Sequence, residues 1–231
     1  MPNDFFRFRQ FLVRQSACGM KVGTDGTLLG AWANGGRRIL DVGTGTGLIA
    51  LMMAQRFPEA GVTAIDIDHD ACMQAAENVE NSVFSSRIVV VERNVVDFSS
   101  PSLFDAIVSN PPYYNRSLAC SNLQRTVARH CVSLSYRELI AAAWRLLDEE
   151  GELSVVIPFD YKNSFDSEAV MAGFFKSREC AVRTNLRKAP RRYLLAYRKH
   201  QVCLEKTEGI IEDAPHVRSA WYSSLTKDFY L

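Results

Sequence analysis

Between residues 38 and 158 short apolar, β-branched runs alternate with segments whose apolar positions recur at helical spacing. RILDV (38–42) is apolar and ends at a cluster of glycines. GLIALMMAQRF (47–57) follows, with Leu48, Leu51 and Met52 apolar and Arg56 near its end, as a helix requires. VTAID (62–66) reads as the next strand and HDACMQAAENVENSV (69–83) as the next helix, with Asp68 placed to cap it. RIVVVE (87–92), FDAIVSN (104–110) and GELSVVIP (151–158) read as three further buried strands. Helical segments around 123–132 and 136–147 separate the last two. Such alternation implies α/β architecture: a mostly parallel sheet with right-handed crossovers and helices on both faces. CAVRTNLR and RRYLLAYRKH, divided by a Lys-Ala-Pro turn, add a closing antiparallel pair and bring the expected sheet to seven strands.

FFRFRQFLVR (5–14) alternates imperfectly and suggests an N-terminal strand or hairpin, and GTLLGAWA (26–33) suggests a short helix. Without a linker, repeat or low-complexity stretch, the expectation is one domain over 1–231, an extension (1–35) leading into a core (36–231). Residues 163–180 match no pattern.

Composition adds exclusions. No apolar run approaches the roughly 18 residues of a membrane span, and MPNDFFRFRQ lacks the apolar stretch of a signal peptide. The six cysteines form no C-x-x-C pair, which argues against a zinc site or a disulfide framework and for reduced thiols in the cytoplasm. No metal is expected. The net charge of +1 hides a segregation. Between Ala106 and Arg137 there is no acid, and there is none between Cys180 and Leu204, where Arg183, Arg187, Lys188, Arg191, Arg192, Arg198 and Lys199 stand. Blocks of this kind can present a basic face to phosphates.

The chemistry begins where ILDV runs into Gly43-Thr44-Gly45-Thr46-Gly47 ahead of a helix. Glycines there let backbone turn sharply and approach a ligand at a helix N-terminus. The dinucleotide pattern G-x-G-x-x-G would need a glycine at 48, where Leu48 stands. Asp41 precedes the loop, and Asp66 closes the second strand, where a carboxylate can take ribose hydroxyls. D-x-G-x-G-x-G with a second acid after the next strand resembles the class I, Rossmann-like methyltransferases. The resemblance implies S-adenosyl-L-methionine as cofactor, with Asp41 toward its methionine end, Asp66 and Ile67 beside its adenosine, and Asn94, or alternatively Asp97, reading its adenine amine.

Asn110-Pro111-Pro112-Tyr113 ends the fourth strand, facing the same crevice, because open α/β sheets bind ligands at the carboxyl ends of their strands. The lone pair of an aromatic amine is delocalised, so the nitrogen is a poor nucleophile. Acceptors for its protons, here the Asn110 side chain and the Pro111 carbonyl, favour charge developing on nitrogen. Pro112 stiffens the loop and Tyr113 offers a ring on which a planar base can stack. The motif resembles that of methyltransferases acting on amino nitrogens of adenine, guanine or glutamine.

Met20-Lys21-Val22-Gly23-Thr24-Asp25-Gly26, FRFRQF near the start, ARH after the Asn-Pro-Pro-Tyr loop and DFYL at the end extend the resemblance. They are similar to the bacterial tRNA N6-adenine methyltransferases named for adenine 37 of a valine tRNA. That family implies a tRNA substrate, with Lys21, Thr24 and Asp25 near the cofactor, and Arg125, Arg129, His130, Lys188, Arg191 and Arg192 near RNA. A monomer and no membrane partner are expected. Ribosomal RNA guanine-N2 and protein glutamine-N5 methyltransferases share the loop motif. A nicotinamide oxidoreductase or nucleotide-binding module is disfavoured by Leu48 and by that motif.

Overall fold

A computed structural model describes residues 4–16, 22–112 and 134–231. The expected hairpin is present as β1 (Phe5–Arg7) and β2 (Leu12–Arg14), followed by α1 (Thr24–Trp32). Then come β3 (Arg38–Val42), α2 (Leu48–Arg56), β4 (Gly61–Asp66), α3 (His69–Glu80), β5 (Ile88–Glu92) and β6 (Phe104–Ser109). After residues 113–133 the chain continues through α4 (Tyr136–Leu146), β7 (Leu147–Pro158), α5 (Lys162–Met171), β8 (Phe175–Arg183) and β9 (Arg192–Arg198). It closes with β10 (Glu205–Ile210), the short pair β11 (Glu212–Ala214) and β12 (Val217–Arg218), and α6 (Ala220–Thr226). The helical segment expected at 123–132 lies outside the described residues.

The central sheet has the order β10-β8-β9-β7-β6-β3-β4-β5. Neighbours pair in parallel except at β9, which runs antiparallel to both β7 and β8. Eight strands stand where seven were expected. The additional one, β10, is an edge strand whose first four residues are all exposed, so no apolar period marks it in the sequence.

Both faces of the sheet are covered, which explains why its central strands read as unbroken apolar runs. Alternate residues feed two cores. Ile39, Ala106 and Val108 join the core under α1, α2, α6 and the hairpin, whereas Leu40, Ile107 and Val155 join the one under α4 and α5. Local sequence sets the helix ends. Asp68 accepts from the amides of Asp70 and Ala71, and Ser135 and Glu138 form a reciprocal capping box. The α1–α2 packing depends on glycines: a Cβ on Gly30 would meet Met52 Sδ at 2.8 Å, and one on Gly26 would lie 3.1 Å from Leu48. That close approach sets the first turn of α1 beside the carboxyl edge of the sheet, where Asp25 meets Arg192.

Within 162–180 a cluster of charges holds α5 to β8. Lys162 Nζ is 2.8 Å from Asp166 and 3.2 Å from Glu179, and Lys176 bridges the same two acids. Tyr197, buried on β9, donates to Asp166 at 2.5 Å. No helix among the described residues is long and apolar enough to cross a membrane.

Candidate active site

The glycine loop owes its shape to three positive φ angles, at Gly43 (71°), Gly45 (55°) and Gly47 (79°). A side chain is strained at such angles, and glycine is not. The amides of Gly43 and Thr44 both donate to the Ile65 carbonyl, at 2.9 and 3.0 Å, tying the loop to the end of β4. The Gly47 amide donates to Thr44 O at 2.9 Å, and Gly47 serves as the N-cap of α2. The amide-rich end of that helix therefore opens on the crevice.

Two carboxylates flank the loop. Asp41, fully buried, accepts from the Thr44 hydroxyl at 2.6 Å and the Ala50 amide at 3.1 Å, both through Oδ2. Its Oδ1 is buried without a hydrogen-bond partner among the described residues. Burial pushes the carboxyl up from 3.8 to about 7; the Thr44 and Ala50 hydrogen bonds pull against it, and the Asp66 charge adds to it. Asp66 is half-buried and accepts from the Gly45 amide at 2.9 Å through Oδ2 and the Asp68 amide at 3.1 Å through Oδ1. Each carboxylate oxygen keeps a second lone pair free for a hydroxyl donor.

The neighbouring loop is drawn in by the Arg93 amide, which donates to Asp66 O at 2.8 Å. Ile67 stands 52% exposed between the two loops, an apolar side chain with no core to pack against. Asn94 is half-buried and its Oδ1 accepts from the Val96 amide at 3.0 Å, while Asp97 is exposed. Asn94 thus keeps one oxygen lone pair and its two amide protons.

These features fit an adenosyl-methionine. Beyond Gly43 nothing lies within 4 Å of where a Cβ would stand, which leaves open space against bare backbone. The unpartnered Asp41 oxygen suits a cationic or N–H group, the Asp66 carboxylate suits a diol, and Ile67 suits the face of a purine.

Asn110 and Pro111 follow β6, the strand beside β3, and so stand one strand from the glycine loop at the same edge. Ser109 anchors this strand end by donating to Val42 O at 2.9 Å. Asn110 and Pro112 are half-buried and Pro111 is buried. Tyr113 lies outside the described residues, as do Lys21, Arg125, Arg129 and His130.

Thr24 and Asp25 open α1, both half-buried. Burial raises the Asp25 carboxyl above its usual 3.8 despite the opposing charges of Arg192 and Arg191. The basic residues of the 180–204 block divide. Arg183 pairs with Glu208 and Arg192 with Asp25, whereas Lys188 and Arg191 are exposed and form no salt bridge among the described residues. Arg192 is therefore occupied by a partner that the acid-free stretch around it does not reveal. Phe159, immediately after β7, belongs to no motif in the sequence. An aromatic residue just past the carboxyl end of a buried strand was the available signal. Among the described residues no group of His, Cys, Asp and Glu could hold a metal ion.

The family model of the methyltransferase small domain matches residues 22–187. A tRNA1(Val) (adenine(37)-N6)-methyltransferase of Phocaeicola vulgatus is 48% identical, over all of this chain and 99% of the relative. Its counterpart in Bacteroides thetaiotaomicron is 44% identical, again over all of this chain and 99% of its own. Among solved structures, a predicted O-methyltransferase from Agrobacterium tumefaciens superposes with a TM-score of 0.67 at 20% identity, covering 89% of this chain and 96% of the other; it shares the fold. With glycine loop, flanking acids and Asn-Pro-Pro loop on one sheet edge, the chain belongs to the tRNA1(Val) (adenine(37)-N6)-methyltransferase family of S-adenosyl-L-methionine-dependent enzymes.

Proposed function

We propose that the chain methylates the N6 amine of adenine 37 in a valine tRNA. The observation that carries this is the position of Asn110-Pro111-Pro112 one strand from the glycine loop, at one edge of the sheet. In this reading the target base leaves the anticodon-loop stack and enters the crevice, where Tyr113 supports its face. The same reading takes the enzyme to work in the cytoplasm, where tRNA is processed, and as a monomer.

S-adenosyl-L-methionine supplies a methyl group on a positively charged sulfur. The glycine loop and α2 would bind its methionine end with Asp41, Thr24, Asp25 and Lys21, and Asp66, Ile67 and Asn94 would hold its adenosine. Asn110 Oδ1 and the Pro111 carbonyl would accept hydrogen bonds from the two N–H groups of the amine and so orient its lone pair for attack. Both hydrogen bonds would strengthen as positive charge develops on the amine during methyl transfer, so the two acceptors favour the transition state over the bound substrate. One proton is then lost to solvent, so no dedicated base is required. Pro111 and Pro112 hold the acceptors in place beforehand, and preorganisation of this kind makes the acceptors effective.

Single-turnover methylation of tRNA tests the assignment. Asn110→Ala should retain cofactor and tRNA and lose about a hundred- to a thousand-fold in rate, the usual cost of removing one preorganised polar partner. An Asn110→Ala enzyme running at the parent rate removes the mechanism, and nucleoside analysis showing a product other than N6-methyladenosine removes the substrate.

A further inference from the structure

The carboxyl edge of the sheet has two sides. The loops after β3, β4 and β5 carry the features that fit the cofactor, and the reacting loop follows β6. Beyond β6 in the strand order lie β7 and β9, where the edge carries different chemistry.

Phe159, the first residue past β7, is 52% exposed although its ring stacks on Tyr193, with centroids 6.2 Å apart and planes 28° from parallel. The pair is fixed in place. The Phe159 amide donates to Arg191 O at 3.0 Å, and the Arg191 amide donates to Val182 O at 2.9 Å. Lys162 Nζ lies 5.1 Å from the centre of the Tyr193 ring, its own charge already engaged by Asp166 and Glu179. Behind this aromatic step the β8–β9 turn contributes Lys188 and Arg191, and a cleft joins them to Phe159 and Asp160. Among the described residues Asp160 is the only acid on that lining, against two cations.

An exposed aromatic face held rigidly beside cations that form no salt bridge among the described residues is the combination that single-stranded nucleic acid recognition uses. The face takes a base of any identity, and the cations take the adjoining phosphate. Position agrees. Strand spacing puts Phe159 roughly 10 Å from Asn110, since β7 is the next strand and Phe159 lies a few residues beyond Asn110's level. A nucleotide adjoining a flipped base can bridge that span.

We propose that Phe159 and Tyr193, with Lys188 and Arg191, form a subsite for the nucleotide flanking the target adenine: its base stacks on Phe159 and its phosphate meets the two cations. This rests on the tRNA reading above and adds to it a second recognised nucleotide. The subsite holds the RNA strand while the neighbouring base is out of the stack. It acts on binding and leaves the transfer step to the Asn110 loop.

Affinity of full-length valine tRNA, measured by fluorescence anisotropy without turnover, tests it. Phe159→Ala should weaken binding roughly tenfold, the scale of one base–aromatic stack, and Phe159→Trp should restore it. S-adenosylhomocysteine affinity should be unchanged in both variants, which reports an intact fold. An abasic residue at one flank of adenine 37 should cost the parent the same factor and cost Phe159→Ala nothing more. Lys188→Gln with Arg191→Gln should lower the salt slope of binding by about two. Parental affinity in Phe159→Ala overturns the proposal. So does an abasic flank that costs both proteins equally. Methylation of some other nucleoside would remove the assigned reaction and leave this binding cycle readable.

Discussion

Arg192, the first residue of β9, lies in ion contact with Asp25 in the first turn of α1; the two meet as charges, outside the alignment of a hydrogen bond. The N-terminal segment and the basic turn between β8 and β9 are thereby joined at the crevice. Burial nonetheless keeps the Asp25 carboxyl above its ordinary 3.8. Removing the arginine leaves a half-buried acid with its ion-pair partner gone.

Arg192→Ala should therefore lower the stability of the cofactor-free protein by roughly 1–3 kcal/mol, the cost of an unsatisfied buried polar group. The loss should be greatest near pH 8 and shrink toward pH 4, because acid protonates a carboxyl that burial has raised above 3.8 and so weakens the ion pair. Urea midpoints at the two pH values measure it. Asp25→Asn combined with Arg192→Ala should cost less than the arginine change alone; a sum of independent effects would mean the pair is not coupled.

Asp66 ties the Gly45 amide and offers its free lone pairs to the crevice. Asp66→Ala should weaken cofactor binding by roughly 1.5–3 kcal/mol. Asp66→Asn separates the two contributions, because it keeps an acceptor for Gly45 and loses the charge-assisted grip on a diol. Calorimetric titration with S-adenosylhomocysteine reads both, and parental affinity in the alanine variant would move the ribose contact elsewhere.

Asp41 makes binding depend on pH. Its carboxyl is raised to about 7, so the folded protein favours the protonated form. That preference stabilises the cofactor-free fold below about pH 4 and is lost as pH climbs from there through 7. A cation bound beside Asp41 favours the ionised carboxylate, so S-adenosyl-L-methionine should bind more tightly as pH rises through 7 and level off above it. Asp41→Asn should flatten the dependence. An affinity that stays constant from pH 6 to 8 in the parent would show that Asp41 does not face the cofactor.

The alternating core was legible because buried parallel strands are apolar throughout and their helices are amphipathic; RILDV and VTAID fall within a residue of β3 and β4. The glycine loop was legible because φ above zero leaves few choices of residue. What stayed hidden depended on partners distant in sequence. The strand β10 has no apolar period because it lies at an edge, with only Gly209 buried. Residues 162–180 depend on a four-way charge cluster, and no local rule pairs Lys162 with Glu179. Arg192 reads as a free cation in its acid-free neighbourhood until α1 brings Asp25 to it. Phe159 reads as an ordinary strand-end aromatic until Tyr193 is seen beneath it.

The hairpin at one end of the chain closes on the last residues at the other. The Arg9 amide donates to Phe229 O at 2.8 Å and its guanidinium to Tyr230 O at 2.5 Å, while Phe8 stacks on the Tyr230 ring at 5.8 Å. Arg9 and Tyr230 stand 221 positions apart. At the usual pace of synthesis the hairpin waits roughly 10–45 s for this partner. The sheet and its ligand edge can assemble in that interval, and the clasp closes after them. For that time Phe8 is without the Tyr230 ring that stacks on it in the folded chain.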